Sequence, residues 1–455
     1  PSPTRVLGAP NLSTLPNANA LLAQLGGSFY DDGDDDLVPG EVWEYQATGT
    51  ALNLNLSSPR TQDNPPDSPV ILGCNPSGTP GGDENGYNNI GVVTVPGADD
   101  SNPSNYCPEP GIAIVKFTNG RDANGTNGQT DGQPTFTVGS TTVPQLMPGD
   151  AVTWTYVIAN TGSISYDGSE VEVTDEVLST FNGGALPARV VGATDLTGLP
   201  ASVRDALLAD MGATYYDDGD AFLEPGEVWE YTASANALDL TGYTPRQPGD
   251  PLDSSPAVLG CNPDGTPGGQ ENGYNNVGVV KVPGAEDDDP SNYCPMPGID
   301  IVKFTNGYDA DLTNGKNDGQ PLFTVDSTTV PTVGIGDPIV WTYAVTNTGG
   351  TSYDVSEVVV TDAVLNLFNP GSPVPIRLVG APNLPGSLIT ELAGPSGYKD
   401  DADNSLMPGE VWEFQATGTA LDLSQYAARL PGNPPSSSPA VLGCNPNQDP
   451  GGDNK

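Results

Sequence analysis

The residues best suited to chemistry in this chain are carboxylates, and they come in spaced sets. Asp31, Asp32 and Asp34 precede Glu41; Asp217, Asp218 and Asp220 precede Glu227; Asp400, Asp401 and Asp403 precede Glu410. Such spacing suits a hard cation that takes about six to eight oxygens, with backbone carbonyls and water completing the shell. The four acids recur in all three places, which points to bound Ca2+; a solvated acidic turn is the alternative. The loop is not an EF-hand. Counting back from Glu41 as the final ligand puts Tyr30 at the first ligand position and Asp35 where the turn glycine belongs.

A second set comprises Asn119, Asp122, Asn124, Asn127 and Asp131, matched by Asn306, Asp309, Asp311, Asn314 and Asp318. Asp175 and Asp362 close a later strand and would join this set if the fold brought them to the same end, although an extra strand at 136–143 would reverse that parity. Calcium and a Gly/Asn-rich turn both fit. The acidic runs 99–100 and 286–289 read as solvated stretches ahead of inter-repeat linkers, with sharing of an inter-module ion as the other possibility.

Five cysteines in an acidic, Gly/Pro-rich chain suggest an oxidising compartment. Cys74 and Cys107, like Cys261 and Cys294, stand 33 residues apart and are the simplest disulfide pairs, and Cys444 would find its partner the same distance further on. Pairing across repeats, such as Cys107 with Cys261, stays open. Thiolate ligation of a metal is disfavoured without histidine or a CxxC motif. Lys116 and Lys303 occupy the first strand of their repeats, where some surface adhesins carry lysines in isopeptide cross-links; a strand-edge lysine is the simpler reading. Asn11, Asn55 and Asn124 begin glycosylation sequons.

The composition excludes several function classes. With 58 acidic and 14 basic residues, the net charge of −44 opposes binding to nucleic-acid phosphates and anionic membranes. The absence of histidine removes the commonest general acid/base at neutral pH and a common transition-metal ligand. There is no phosphate-cradling loop, nucleophile elbow or His-dependent triad. Paired carboxylates could imitate a glycosidase site, but their recurrence fits structural ligation better than one cleft. The expectation is a protein without enzymatic activity. No apolar run approaches bilayer-spanning length and no secretion signal opens the chain, but Pro1 falls inside a repeat, so the chain reads as a piece of a longer one.

These residues are positioned by a repeated unit. The segment beginning GIAIVKFTNG at Gly111 recurs as GIDIVKFTNG at Gly298, 187 residues later, and PGEVWE occurs around Glu41, Glu227 and Glu410. On this period, 1–110 is the rear part of a repeat, 111–297 a complete one, and 298–455 a copy lacking its last strand. Alternating segments at 112–117, 151–159, 169–177, 188–191, 228–235, 257–259 and 277–282 predict seven strands, with one short helix at 201–210. The expected fold class is all-β, with tandem immunoglobulin-like β-sandwich modules carrying long Gly/Pro/Asp-rich loops. Trp154, Trp229, Trp341 and Trp412 belong to its core.

GDAVTWTYVIANTG from Gly149 with VEVTD ending at Asp175, repeated as GDPIVWTYAVTNTG from Gly336 with VVVTD ending at Asp362, resembles the bacterial surface repeat family called domain of unknown function 11. LEPGEVWEY from Leu223 is also similar to motifs of such arrays. The resemblance implies immunoglobulin-like modules in long secreted or wall-associated proteins, with no known chemistry. The expected role is an extracellular, cell-surface structural protein forming a filament, sheath or stalk, stiffened by Ca2+ and disulfides. Its partners would be neighbouring repeats of the same protein. The alternative is an adhesin that binds surface glycans, for which Tyr87, Tyr215, Tyr216 and Tyr274 are the only stacking hint.

Overall fold

The computed structural model describes residues 2–52, 54, 57–60, 68–75, 77–126, 128, 130–311, 317–369, 374–430 and 432–443. Cys444, the sequon at Asn55, and the candidate ligands Asn127 and Asn314 lie outside the described residues. The chain divides into two units, Pro1–Ile71 and Leu72–Lys455.

In the second unit, the stretch from Gly111 to Pro297 builds a sandwich from β1 (Ala113–Thr118), β2 (Gln145–Leu146), β3 (Ala151–Ala159), β4 (Tyr166–Asp167), β5 (Glu172–Thr174), β6 (Ala188–Val190), β7 (Tyr215–Tyr216), β8 (Phe222–Leu223), β9 (Glu227–Asn236), β10 (Ala257–Cys261), β11 (Pro267–Val282) and β12 (Ala285–Pro295). One sheet runs β6-β9-β3-β1, with β7 added parallel to β9. The other runs β5-β11-β12-β2, with β10 beside β11. The all-β class is therefore as expected.

Alternation explains both faces of the first sheet. Trp154, Tyr156, Ile158, Trp229 and Tyr231 pack toward the second sheet against Tyr274, Val280 and Tyr293. The opposite face, with Phe117, Val157, Ala159 and Val228, is covered by Leu196 of helix α2 (Thr194–Thr197) and Leu207 of helix α3 (Ala201–Asp210). Burial on both faces is why β3 reads as a nearly continuous apolar run instead of a clean alternation. Helix α3 occupies the stretch where a short helix was expected.

Two segments differ from the sequence reading. The expected strand at 169–177 is short, because the Asp175 side chain accepts from the Leu178 N–H (3.0 Å) and caps helix α1 (Glu176–Phe181). The acidic stretch 286–289, read as a solvated run ahead of the linker, is part of strand β12, paired with β11 through Lys281↔Glu286 and Gly278↔Asp289. Strand formation turns Glu286 and Asp288 to solvent and leaves Asp287 and Asp289 half-buried.

Asp287 and Asp289 close the sandwich. The Ile114 N–H donates to Asp287 Oδ2 (2.9 Å), the Lys116 N–H donates to Asp289 Oδ2 (2.7 Å), and the Thr118 and Ser291 hydroxyls are bonded to each other. Side chains of β12 thus satisfy the unpaired edge of β1, which would otherwise present a row of free donors.

The third copy repeats the first sheet: Ile299–Thr305, Pro338–Asn347 and Glu410–Thr419 pair in that order, with Ile376–Leu378 outermost. Its junction with the complete copy is direct. The Gly350 N–H donates to the Met296 carbonyl (2.8 Å), and a Cβ on Gly298 would lie 2.7 Å from the Gly349 nitrogen, so only glycine fits there. The first unit, described by itself, pairs Thr4–Val6 with Glu44–Gln46 and Phe29–Tyr30 with Glu41–Val42.

Candidate functional site

The PGEVWE loop is built around an arginine that the sequence reading overlooked. Gly226 turns the chain at φ +80°, where a Cβ would strike Thr214 Oγ1 at 2.7 Å, and β9 then starts with Glu227. Asp217, just after β7, accepts from Arg189 Nε (3.2 Å) and Nη2 (2.8 Å) as well as from the Gly192 and Gly219 N–H groups. The Arg189 guanidinium lies 3.2 Å from the centre of the Trp229 ring. Glu227 accepts from Trp229 Nε1 (3.2 Å) and from the Asp218 and Glu224 N–H groups. Asp218 and Asp220 accept from the N–H two residues on, each closing a short turn.

The same constellation recurs within the first unit as Arg5, Asp31, Glu41 and Trp43, and in the third copy as Arg377, Asp400, Glu410 and Trp412. In each, one carboxylate oxygen from Asp31, Asp32 and Glu41, or from their counterparts Asp217, Asp218, Glu227 and Asp400, Asp401, Glu410, lies within 4.8 Å of the others. Asp34, Asp220 and Asp403 are exposed and stand outside these groups. These are buried acidic clusters able to hold a metal ion. Each already pairs its first aspartate with an internal cation, the arginine. Burial raises the Glu227 and Glu410 carboxyls above the ordinary range, whereas the Val38 N–H holds Glu41 below it. The missed signal was in the sequence: with only 14 basic residues, Arg5, Arg189 and Arg377 each stand three residues before a Gly-Ala pair.

The second predicted set is spread over several roles. Asn119 and Asn306 accept through Oδ1 from the Thr153 and Val340 N–H groups and hold a turn. Asp131 accepts from the Gln133 and Thr141 N–H groups and from two hydroxyls, which keep it well below the ordinary carboxylate range; Asp318 does the same and is held at about 2. Asn124 is exposed. Asp122 is 1% exposed, takes the Gly139 N–H at 2.6 Å on one oxygen, and leaves the other without a partner; burial pushes it up to about 6. In the third copy Asp326 replaces that glycine at φ +57°, so that Asp309, Asp311 and Asp326 form a further acidic group.

Asp175 and Asp362 have other partners. Lys116 Nζ donates to Asp175 Oδ2 at 2.6 Å and the Tyr156 hydroxyl donates to the same oxygen at 2.7 Å, with all three side chains buried. Lys303, Tyr343 and Asp362 repeat this at 2.5 and 2.7 Å; there Lys303 is 43% exposed. Lys116 is thus not a strand-edge lysine in contact with water. Burial lowers its ammonium to about 8 and raises the Tyr156 hydroxyl far above its usual value. Asp289, which caps the Lys116 N–H, is pushed up to about 7, again by burial.

Cys74 is joined to Cys107 and Cys261 to Cys294, each across 33 residues. Among the described residues no helix is long and apolar enough to cross a membrane. Tyr274 is fully buried and stacks on Tyr293 at 4.4 Å, Tyr87 stacks on Tyr106, and Tyr215 and Tyr216 donate to Glu224 and to the Arg204 carbonyl.

No protein-family model matches the chain, and no curated protein matches it. Among solved structures, the C-terminal domain of the Streptococcus pyogenes antigen I/II-family protein AspA is similar at 9% identity and a TM-score of 0.19, over 69% of this chain and 92% of that one. A likeness of that strength supports no inference about role.

Proposed function

We propose that this chain is a segment of an extracellular structural repeat protein, a filament, sheath or stalk of the cell surface, without enzymatic activity. The observation that carries the reading is repetition of closure. The Arg–Asp–Trp stack, the Lys–Tyr–Asp cluster and the Cys–Cys staple recur from copy to copy, and in the copy from Gly111 to Pro297 each is packed into the module. Two disulfides fit an oxidising environment. Direct backbone bonds across the joins, from the Ser163 N–H to the Glu109 carbonyl and from the Gly350 N–H to the Met296 carbonyl, favour neighbouring repeats as the principal partners, with length scaling with repeat number. The bacterial surface repeat family named above is the relative we favour.

Calcium is the proposed cofactor of the recurring acidic loops, since clustered carboxylates in a chain of net charge −44 favour a divalent counter-ion. Electron microscopy of the native material tests the role: repeating subunits along a continuous fibre are expected, whereas flexible strands with a distinct tip would favour an adhesin. Unfolding with and without a chelator tests calcium, and an unchanged midpoint would remove it.

A further inference from the structure

Asn276 sits on β11 with its side chain fully buried; its Nδ2 donates to the Tyr274 hydroxyl (3.3 Å), and its Oδ1 has no partner. A buried amide oxygen left unsatisfied is costly, so its retention calls for an explanation. The explanation is next to it. Two residues along the same strand face, at Gly278, an added Cβ would lie 3.2 Å from Lys116 Cδ and 2.7 Å from Tyr156 Cε1. Lys116 therefore packs over β11 in the space that glycine leaves. Its Nζ, two bonds further on, meets Asp175, the residue after strand β5, which flanks β11 with Thr174 opposite Val279. On the other side, the β12 partners of Gly278 and Asn276 are Asp289 and Ser291, which bond Lys116 and Thr118 of β1. A buried amine bonded to a carboxylate thus runs past Gly278, two residues along the same strand face from an amide carbonyl with no hydrogen bond.

We infer that Lys116 and Asn276 form an intramolecular amide cross-link, with Asp175 carrying the protons. Asp175 takes one proton from Nζ, and the free amine attacks Asn276 Cγ. A second proton passes through the same carboxyl from Nζ to Nδ2, the Cγ–Nδ2 bond breaks, and ammonia leaves with the first proton as ammonium. One C–N bond forms, one breaks, and no oxidant or reductant is consumed. Desolvation favours the amine over the ammonium, and the core holds the reactants at high effective concentration. Asp175 is the proton carrier and not the electrophile: its carboxylate accepts from Lys116, Tyr156 and the Leu178 N–H, and a carboxylate is a poor target for an amine. The bond would tie the first strand of the sandwich to the last hairpin. Asn89 repeats Asn276 and Lys303 repeats Lys116, but only the copy from Gly111 to Pro297 holds all three residues in this sequence.

The test is the intact mass of the full chain, denatured and with its disulfides reduced, followed by peptide mapping. The expected result is a mass about 17 Da below that of the sequence and a branched peptide joining Lys116 to Asn276. Asp175→Asn should restore the full mass in a protein that still shows a β-sheet circular dichroism spectrum. If that variant does not fold, Asn276→Ala provides the check, because it removes the electrophile and should likewise show its full sequence mass in a folded chain. A folded wild-type chain of unmodified mass overturns the inference. So does a loss mapped elsewhere, including a Lys116–Asp175 bond.

Discussion

Arg189 places its guanidinium 3.2 Å from the centre of the Trp229 ring while donating twice to Asp217, whose side chain is fully buried. A planar cation is needed for both contacts at once, since a lysine ammonium neither stacks nor forks. Arg189→Lys is therefore expected to cost about 1–2 kcal/mol. Arg189→Ala, which leaves Asp217 buried and unpaired, is expected to cost about 3–5 kcal/mol. Urea denaturation reads both, and equal small losses would show that the stack contributes nothing.

Glu230 offers a gain. In the third copy Asn383 donates to Glu413 through its backbone N–H (2.9 Å) and Nδ2 (2.7 Å), and Asn11 does the same to Glu44 in the first unit. The complete copy has Asp195 at this position; Glu230 keeps backbone bonds from Leu196 and Asp195 but has no side-chain amide donor, one of its oxygens is without a partner, and burial with the Asp195 charge pushes it up to about 7. Asp195→Asn should stabilise the protein by about 1 kcal/mol, more at pH 8 than at pH 5. A thermal melt at both values checks it, and an unchanged or lowered melting temperature would refute it.

The buried acids also set a pH dependence. Asp122, Glu230 and Asp289 are raised to about 6, 7 and 7 in the fold. The folded state therefore binds protons more tightly than the unfolded chain, and the stability they contribute is present at low pH and lost as pH rises through about 6 to 7. In chelator, the unfolding free energy should fall as pH rises from about 4, where the unfolded carboxyls titrate, to about 7. Asp289→Asn together with Glu230→Gln should flatten the slope, which denaturation series at stepped pH would reveal.

Cys261 and Cys294 close a 33-residue separation within the second sheet, joining β10 to the end of β12. Replacing both by serine should cost about 3–4 kcal/mol in the chain-entropy account. Calorimetry of the double variant measures it.

The sequence by itself determined the period and the all-β class, because recurrence at a fixed offset and alternation along strands are local properties of the chain; it offered both disulfide pairs as the simplest reading, and the fold chose them over pairing across repeats. It also located the acidic loops and helix α3. It could not assign partners to the carboxylates, since a carboxylate reads alike whether it faces calcium, arginine, lysine or a strand edge. Only the tertiary structure brought Arg189 to Asp217 across 28 residues, Lys116 to Asp175 across 59, and Asp287 and Asp289 to the edge of β1 across 173. The run at 286–289 misled for the same reason. Four consecutive acids look solvated in sequence, but strand alternation sends every second one inward, and what it meets there depends on which strand the fold packs against it.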